Sequence, residues 1–315
     1  MEQEYRVSVC VITYNQKKYI EQALNSILDQ KTNFEFEVLV HDDCSSDGTV
    51  EILKRYKKKY PDKITLLLER ENQYSKGKKI MPLFIPYVKG KYIAINEGDD
   101  YWCDNSKLQK QVDFLEKNDD YSLVVHRANM VNIKGQIMKT IGGNKNIDYS
   151  IKDIILGGGD FIATNSMLFR SELFFSLPDF YHNSDIGDYI MCIYYASMGK
   201  VHYMSQIMSV YRFSSEGSWT QKYIEDNDFF NKHIEKMKSI LDEINVHYNY
   251  KYDNILQEEI ENYNMQKAIR YYKYYEFKKN DRYNFNRLSY KQRIILFCKS
   301  YFPFLIKIHH KLRGI

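Results

Sequence analysis

Residues 94–102 read AINEGDDYW: three carboxylates in four positions, behind a short apolar stretch and ahead of two large aromatics. Like charges this close repel, so Glu97, Asp99 and Asp100 are a poor choice for a mere turn. Two uses fit them. Hard divalent cations such as Mg2+ or Mn2+ bind through carboxylate oxygens, and a carboxylate also accepts hydrogen bonds from sugar hydroxyls or a base edge. Gly98 lets the backbone come close to a ligand. A second acidic stretch, HDDCSSDGT, occupies residues 41–49. Within it Asp47-Gly48-Thr49 reads as a helix N-cap, because Asp bonds its own local backbone. Asp42 and Asp43 fit a turn and a ligand contact equally. Thr13-Tyr14-Asn15 adds polar and aromatic groups. Neither G-x-x-x-x-G-K-S/T nor G-x-G-x-x-G follows the first strand. The phosphates of a bound nucleotide would therefore need a metal bridge, and Asp99 and Asp100 are placed to hold one.

The elements around these residues alternate as βαβ units do. Apolar, β-branched runs at 7–13, 36–40, 64–68, 92–95 and 122–126 read as strands, 19–30 and 107–118 carry helical spacing, and 45–60 reads as a capped helix. Short buried strands joined by helices predict an α/β fold with a mostly parallel sheet covered on both faces. Ligands of such sheets bind outside the carboxyl ends of the strands. Thr13-Tyr14-Asn15, residues 41–49 and residues 97–100 all sit at such ends, so the topology would gather them on one rim. Residues 132–159 lose periodicity and collect glycines, which predicts a loop-rich insertion. Residues 188–198 read as a helix, and 201–203 and 208–212 as strands. Beyond about residue 220 the pattern is helical only, with Ile234, Met237, Leu241 and Ile244 in 3-4-3 spacing and Leu256, Ile260 and Tyr263 likewise.

Composition narrows the partners. The five cysteines are scattered without a C-x-x-C pair, which fits reduced thiols and not a disulfide framework or zinc site. No secretory signal opens the chain and no apolar run reaches the roughly 20 residues of a membrane span, so a cytoplasmic location is expected. The net charge of +4 is concentrated: residues 291–315 hold six Lys and Arg and no acid. The remainder is slightly acidic, which argues against a nucleic-acid footprint on the body. The segment RIILFCKSYFPFLIKIHHKLRGI mixes apolar, aromatic and basic residues. It fits a peripheral helix on the inner face of the cell membrane and a last helix packed on the protein equally well.

Three stretches together, VSVCVITYNQKKYIEQALNSILDQ, FEVLVHDDCSSDGT and GKYIAINEGDDYWCDNSKLQKQVDFLE, closely resemble family 2 glycosyltransferases of the GT-A fold over about residues 5–130, more weakly to about 220. The resemblance implies a Rossmann-like GT-A domain over 1–220, with a nucleotide-binding half at about 1–130 and an acceptor half at about 131–220. A helical C-terminal region would follow at 221–315. It implies inverting transfer of a hexosyl or N-acetylhexosaminyl group from a nucleotide sugar, a UDP-sugar in our reading, assisted by Mn2+ or Mg2+. The acceptor class implied is a saccharide or lipid-linked oligosaccharide in cell-surface polysaccharide biosynthesis. By the same resemblance Thr13, Tyr14, Asn15, Asp42 and Asp43 contact the base and ribose. Glu97-Gly98-Asp99-Asp100 occupies the D-x-D-D position, with Glu97 and Asp99 on the donor and Asp99 and Asp100 on the metal. Glu97 stands where the family's pattern has Asp.

Asp188 matches the family's catalytic base, with Gly187 where many members carry Glu; Asp185 is the competing residue. On the residues alone, Asp188 also reads as a first-turn carboxylate favoured by the helix dipole. Two residues past Tyr211-Arg212, where many relatives have His, the chain has Ser214. Either the metal has one protein ligand fewer or a group such as Glu216 or Trp219 shapes the site. Two other readings of the chain are a nucleotidyltransferase of similar fold and a non-catalytic sugar- or nucleotide-binding module. The former would want a Gly-rich, Arg-containing loop after the first strand, and TYNQKKY is not one.

Overall fold

The computed structural model describes residues 5–184, 186–213 and 219–302. Asp185, Ser214, Glu216 and residues 303–315 of the basic segment lie outside the described residues.

The chain divides into two compact units, one of residues 1–131 and 137–213, the other of 132–136 and 214–315. The first unit is built on a ten-stranded sheet. In chain order its strands are β1 (Val7–Thr13), β2 (Phe36–Asp42), β3 (Ile64–Leu68), β4 (Tyr92–Glu97), β5 (Tyr101–Trp102), β6 (Tyr121–Val131), β7 (Ile137–Ile141), β8 (Ile147–Tyr149), β9 (Leu168–Arg170) and β10 (Lys200–Arg212). Its helices are α1 (Ile20–Leu28), α2 (Thr49–Lys59), α3 (Lys107–Lys117), α4 (Ile151–Gly157), α5 (Ser171–Phe174), α6 (Asp179–Asn183) and α7 (Asp188–Met198).

The main path through the sheet runs β3-β2-β1-β4-β9-β6-β10-β5. β1, β2, β3 and β4 are parallel, as are β6 and β10. The core explains this half. Val7, Val9 and Val11 of β1 and Val38 and Val40 of β2 are buried with Ile20, Leu24 and Ile27 of α1 and Leu108, Val112 and Leu115 of α3. Each fully buried aliphatic side chain of this kind contributes about 1.5–3 kcal/mol relative to exposure. Register then sets the rim: Thr13 lies beside Asp42, and Ile12 beside Glu97.

The other half is mixed. β9 runs antiparallel between β4 and β6, β5 and β8 pair antiparallel with β10, and β7 turns back on β6. Antiparallel neighbours can follow short connections, whereas a parallel neighbour needs a long crossover. Residues 132–159 are more regular than a loop-rich insertion: they contain β7, β8 and α4. Ser150 and Asp153 start α4 with a reciprocal capping box. The two strands expected at 201–203 and 208–212 form one strand, β10, whose pairing shifts between Met204 and Ile207. That irregularity interrupts the period-2 pattern without ending the strand.

Among the described residues after Phe213 every regular element is a helix: α8 (Trp219–Glu225), α9 (Asn227–His247), α10 (Asp253–Tyr271), α11 (Tyr274–Asn280), α12 (Arg282–Arg287) and α13 (Tyr290–Tyr301). The Asp226 carboxylate caps α9 by accepting from the Asp228 and Phe229 N–H groups. Ile234, Met237, Leu241 and Ile244 of α9 are buried, as are Leu256, Ile260 and Tyr263 of α10. A smaller cluster of Met265, Phe277, Phe285, Leu288 and Leu296 gathers α11, α12 and α13 at the end of α10. Among the described residues no helix is long and apolar enough to cross a membrane.

Candidate active site

The crowded carboxylates sit in a tight turn between β4 and β5. Gly98 donates its N–H to the Ile12 carbonyl at 2.8 Å. A Cβ at this position would come within 2.3 Å of Gln16 Oε1 and 2.8 Å of Thr13 Oγ1. Glycine is therefore required by close approach to β1. The turn's charge is met from β10. The Arg212 guanidinium donates to the Asp99 carbonyl oxygen and to Gln22 Oε1, and it lies 4.7 Å from the Tyr19 ring centre and 4.9 Å from that of Tyr101.

Asp100 is fully buried. Its Oδ1 accepts from the Arg212 N–H and its Oδ2 from Asn165 Nδ2, both at 2.8 Å. The metal contact expected of Asp100 thus meets a carboxylate already engaged on both oxygens and closed off from solvent. Burial first, then the charges of Asp99 and Glu97, push the pKa of this carboxyl well above the usual carboxylate range, although Arg212 opposes the shift. Glu97 is pushed up to about 8 by burial first, then by the charges of Asp99 and Asp188. The charge of Asp188, at the start of α7, thus bears on Glu97 together with that of Asp99 from the same turn.

The loop after β1 is laced to the loop after β2. Asn15 has a left-handed φ of 52°; its N–H donates to Ser45 Oγ, and its side-chain oxygen accepts from the Ser46 N–H. Gln16 and Lys17 donate their N–H groups to Thr49 Oγ1 and Asp47 Oδ2. Asp47 also accepts from the Thr49 N–H and hydroxyl, a local turn just ahead of α2, whose N-cap is Gly48 and not an Asp side chain. Asp42 is fully buried and accepts from the Ser45 N–H at 2.9 Å and hydroxyl at 2.5 Å. Burial raises the pKa of its carboxyl despite those bonds. Asp43 accepts from the Gln73 and Tyr74 N–H groups at 2.6 and 3.0 Å, which fixes the 72–76 loop against β2. Thr13 is buried with a hydroxyl that has no hydrogen-bond partner among the described residues, and Tyr14 is half-exposed.

Asp188 opens α7. Its Oδ1 accepts from the Tyr189 N–H and its Oδ2 from Thr164 Oγ1, each at 2.7 Å. Beside it lies a narrow crevice walled by Ile154, Phe161, Ile162, Tyr189 and Cys192. Two contributors, Thr164 and Asn165, carry no sequence signal of their own; Arg212, which the sequence marks only as part of Tyr211-Arg212, supplies the counter-charge. Trp219 belongs to the second unit, where its ring stacks 5.0 Å from that of Tyr223. His202 is paired with Asp148 at 2.7 Å and stacked on Phe114, away from the acidic turn in sequence and bonding.

The sequence profile described as glycosyl transferase family 2 matches residues 8–175, more than half of the chain. The chain belongs to glycosyl transferase family 2. A Mycobacterium tuberculosis protein, Rv1520, is 29% identical over 229 residues, covering 71% of this chain and 63% of that protein. This family member therefore spans less than two thirds of that relative's length. The putative teichuronic acid biosynthesis glycosyltransferase TuaG of Bacillus subtilis is 36% identical over 109 residues, 35% of this chain and 41% of TuaG. Among solved structures, Staphylococcus aureus TarS 1–349 in complex with UDP-GlcNAc superposes with a TM-score of 0.61 at 19% identity, covering 94% of this chain and 79% of that one. The mannosyltransferase PcManGT of Pyrobaculum calidifontis, in complex with GDP-Man and Mn2+, gives 0.52 at 16% identity, over 96% and 88%. These likenesses show the fold, the GT-A arrangement of a sheet flanked by helices.

Among the described residues no three His, Cys, Asp or Glu side chains are grouped closely enough to cage a metal ion. A cation that arrives with a nucleoside diphosphate needs no such cage, since Mg2+ is bound through one or two carboxylates plus phosphate oxygens. Glu97 and Asp99 are hard oxygen donors of that kind. Burial and the charges of Asp99 and Asp188 push Glu97 up to about 8, as happens where carboxylates outnumber the cations near them. The donor set fits the ion.

Proposed function

We propose that this chain is an inverting glycosyltransferase that moves a sugar from a UDP-sugar to a glycan or lipid-linked acceptor in cell-surface polysaccharide synthesis. The charges of Asp99 and Asp188 acting together on Glu97 carry the reading. They support a proton acceptor on α7 near the acidic turn. The complex of TarS with UDP-GlcNAc supports the donor class, and the name of TuaG supports the setting.

In this reading Thr13, Tyr14, Asn15, Asp42 and Asp43 bind the base and ribose, and residues 131–220 supply the acceptor side. Glu97 and Asp99 face the ribose and a divalent cation, Mn2+ or Mg2+, which when bound offsets charge on the leaving diphosphate. Asp100 holds the turn in place. Asp188 takes the proton of the acceptor hydroxyl as its oxygen bonds to the anomeric carbon, while the bond from that carbon to the diphosphate breaks and UDP leaves with the electron pair. Attack opposite the leaving group inverts the centre.

The second unit supports a lipid surface as a further partner. Tyr290, Ile294, Phe297 and Tyr301 are exposed on α13 at spacings of four, three and four, which is one helical stripe. From Lys273 to Ile315 the sequence holds eleven Lys and Arg against two acids. An apolar stripe beside such a charge excess suits anionic headgroups.

The test is a panel of UDP-, GDP- and dTDP-sugars with Mn2+, following nucleoside diphosphate release with and without EDTA. Metal-dependent release from at least one UDP-sugar is expected, abolished in Asp99→Ala and Asp188→Ala. If wild type releases nothing and both variants bind donors as it does, the catalytic reading fails.

A further inference from the structure

The two halves of the site are joined by one buried turn of 3-10 helix, Thr164–Ser166. We infer that this turn is the spacer that fixes the general base relative to the acidic turn, with Thr164 as the positioning residue for Asp188 and Asn165 as that for Asp100.

The observation is that neighbouring residues reach in different directions. Thr164 Oγ1 donates to Asp188 Oδ2 at 2.7 Å. Asn165 Nδ2 donates to Asp100 Oδ2 at 2.8 Å and to the Val210 carbonyl at 3.2 Å, while its Oδ1 accepts from Ser209 Oγ at 2.6 Å. Both amide hydrogens are thus used, and the orientation of the amide is set by a donor on one side and two acceptors on the other. The backbone of the turn is pinned as well. Trp102 Nε1 donates to the Asn165 carbonyl at 3.1 Å, and Gln111 Nε2 to the Ser166 carbonyl at 2.8 Å. β5, α3 and β10 therefore all hold this turn. Asn165 and Ser166 are fully buried. A spacer held from three elements has little freedom to rotate, so a shift at one arm is felt at the other.

An Asp at the first position of a helix has several rotamers, and its own Tyr189 N–H contact does not choose among those that face the rim. The Thr164 hydroxyl does, by engaging the second oxygen. Losing it leaves donor binding intact and lets the base wander from the line of attack, an error that proximity effects translate into rate.

The inference rests on the glycosyl-transfer reading, and its test uses the full chain. Thr164→Val keeps shape and removes the hydroxyl; Thr164→Ser keeps the hydroxyl. Turnover is measured on the UDP-sugar that wild type cleaves, and binding by calorimetry with UDP plus Mn2+. We expect Thr164→Val to lower kcat about tenfold, the loss of one hydrogen bond to a charged group, with KM and UDP affinity unchanged and the melting temperature only a few °C lower. Thr164→Ser should stay within about twofold of wild type. On the other arm, Asn165→Ala should weaken UDP and Mn2+ binding by about tenfold. Where that variant does not fold, Ser209→Ala, which removes only the donor to Asn165 Oδ1, should move binding in the same direction. Wild-type kcat in Thr164→Val, or equal loss of kcat, UDP affinity and melting temperature in the Val and Ser variants, overturns the inference. So does unchanged binding in whichever of the Asn165 and Ser209 variants folds. A wild type inert with every donor overturns both readings, and a fully active Asp188→Asn overturns the base assignment and this one with it. Inactive Asp188→Asn beside an unaffected Thr164→Val overturns this inference alone.

Discussion

Arg212 is where the charge balance of the site is most exposed to a single change. Arg212→Met removes a cation from beside Glu97, Asp99 and Asp100 while keeping most of the stem's volume. Two hydrogen bonds from a charged donor go with it, to the Asp99 carbonyl and Gln22, together with contacts to the Tyr19 and Tyr101 rings. Hydrogen bonds to charged groups contribute about 1.5–3 kcal/mol each, and each ring contact about 0.5–1 kcal/mol near the surface. Arg212 is only partly buried, so the low ends apply and the sum is about 4 kcal/mol. For a unit of this size each kcal/mol moves the melting temperature by about 2–4 °C, which gives a fall of roughly 10 °C. Arg212→Lys restores the charge without the planar fork and should recover about half.

The same variant carries a second readout. With its own cation gone, the acidic turn gains more from an added one. Mn2+ at about 100 times its dissociation constant stabilises any binding-competent fold by about 2.7 kcal/mol, and charge compensation adds to that in the Met variant. Thermal melts with and without Mn2+ should therefore show a larger rise for Arg212→Met than for wild type. A variant that melts within about 2 °C of wild type, and gains no more from the metal, refutes the role of Arg212 as counter-charge.

Gly98→Ala forces a Cβ against Thr13 and Gln16. Gln16 can swing away but β1 cannot, so a cost of about 1–3 kcal/mol and a ten- to hundredfold loss of kcat from a displaced turn are expected; wild-type turnover would show that the turn tolerates the shift. Glu97, raised to about 8, holds its proton in the folded protein from about pH 4.5 upward, where the unfolded chain has lost it. Its contribution to stability is full at low pH and is lost as pH climbs through about 8, and Mn2+ must displace that proton. Mn2+ affinity should rise from pH 6 to about 8 and then level off, and Glu97→Gln should flatten the rise; a pH-independent affinity in wild type contradicts the assignment. Deleting residues 291–315, or replacing Tyr290 and Phe297 with Ser, should abolish flotation with vesicles rich in anionic lipid while leaving neutral vesicles unbound throughout. Equal flotation of the deletion removes the lipid surface from the reading.

The parallel half of the sheet is legible in the sequence because its strands are buried on both faces and its helices bury one stripe. The runs at 7–13 and 64–68 coincide with β1 and β3 residue for residue, and 188–198 with α7. The mixed half is not legible, for a matching reason. β5 has two residues, and β8 and β9 three each, too few for any period to show. Their assignment comes from pairing with β4, β6 and β10, which is tertiary information. α4 was within reach: Ser150 and Asp153 announce its start at the spacing of a capping box, hidden by the glycines on either side.

The candidate site divides along the same line. Crowding of like charges at a strand end is a local fact, and it points to Glu97, Asp99 and Asp100 without any fold. What neutralises or orients them is not local. Arg212 bonds to Asp100 across 112 positions, and Asn165 across 65. No spacing rule connects residues so far apart. The need for a counter-charge can be argued from the crowding; its identity cannot. The same gap separates Asp99 from Asp100. Adjacent side chains leave an extended or turning backbone in different directions, so one of the pair turning inward is expected, but which one depends on whether β10 or solvent lies on that side. The structure puts β10 and Asn165 beside Asp100, and its burial follows. That makes Asp100→Asn the sharper probe of the pair. It keeps the Arg212 N–H bond through Oδ1 but turns an amide toward Asn165 Nδ2, two donors face to face in a buried place, at a cost of about 1–3 kcal/mol. Stability should fall clearly, with UDP binding by the remaining folded protein weakened only about tenfold, as in Asn165→Ala. Asp99→Asn should do the reverse, losing metal-dependent binding with little change in melting temperature. If the two variants exchange these behaviours, Asp100 is the ligand and Asp99 the anchor.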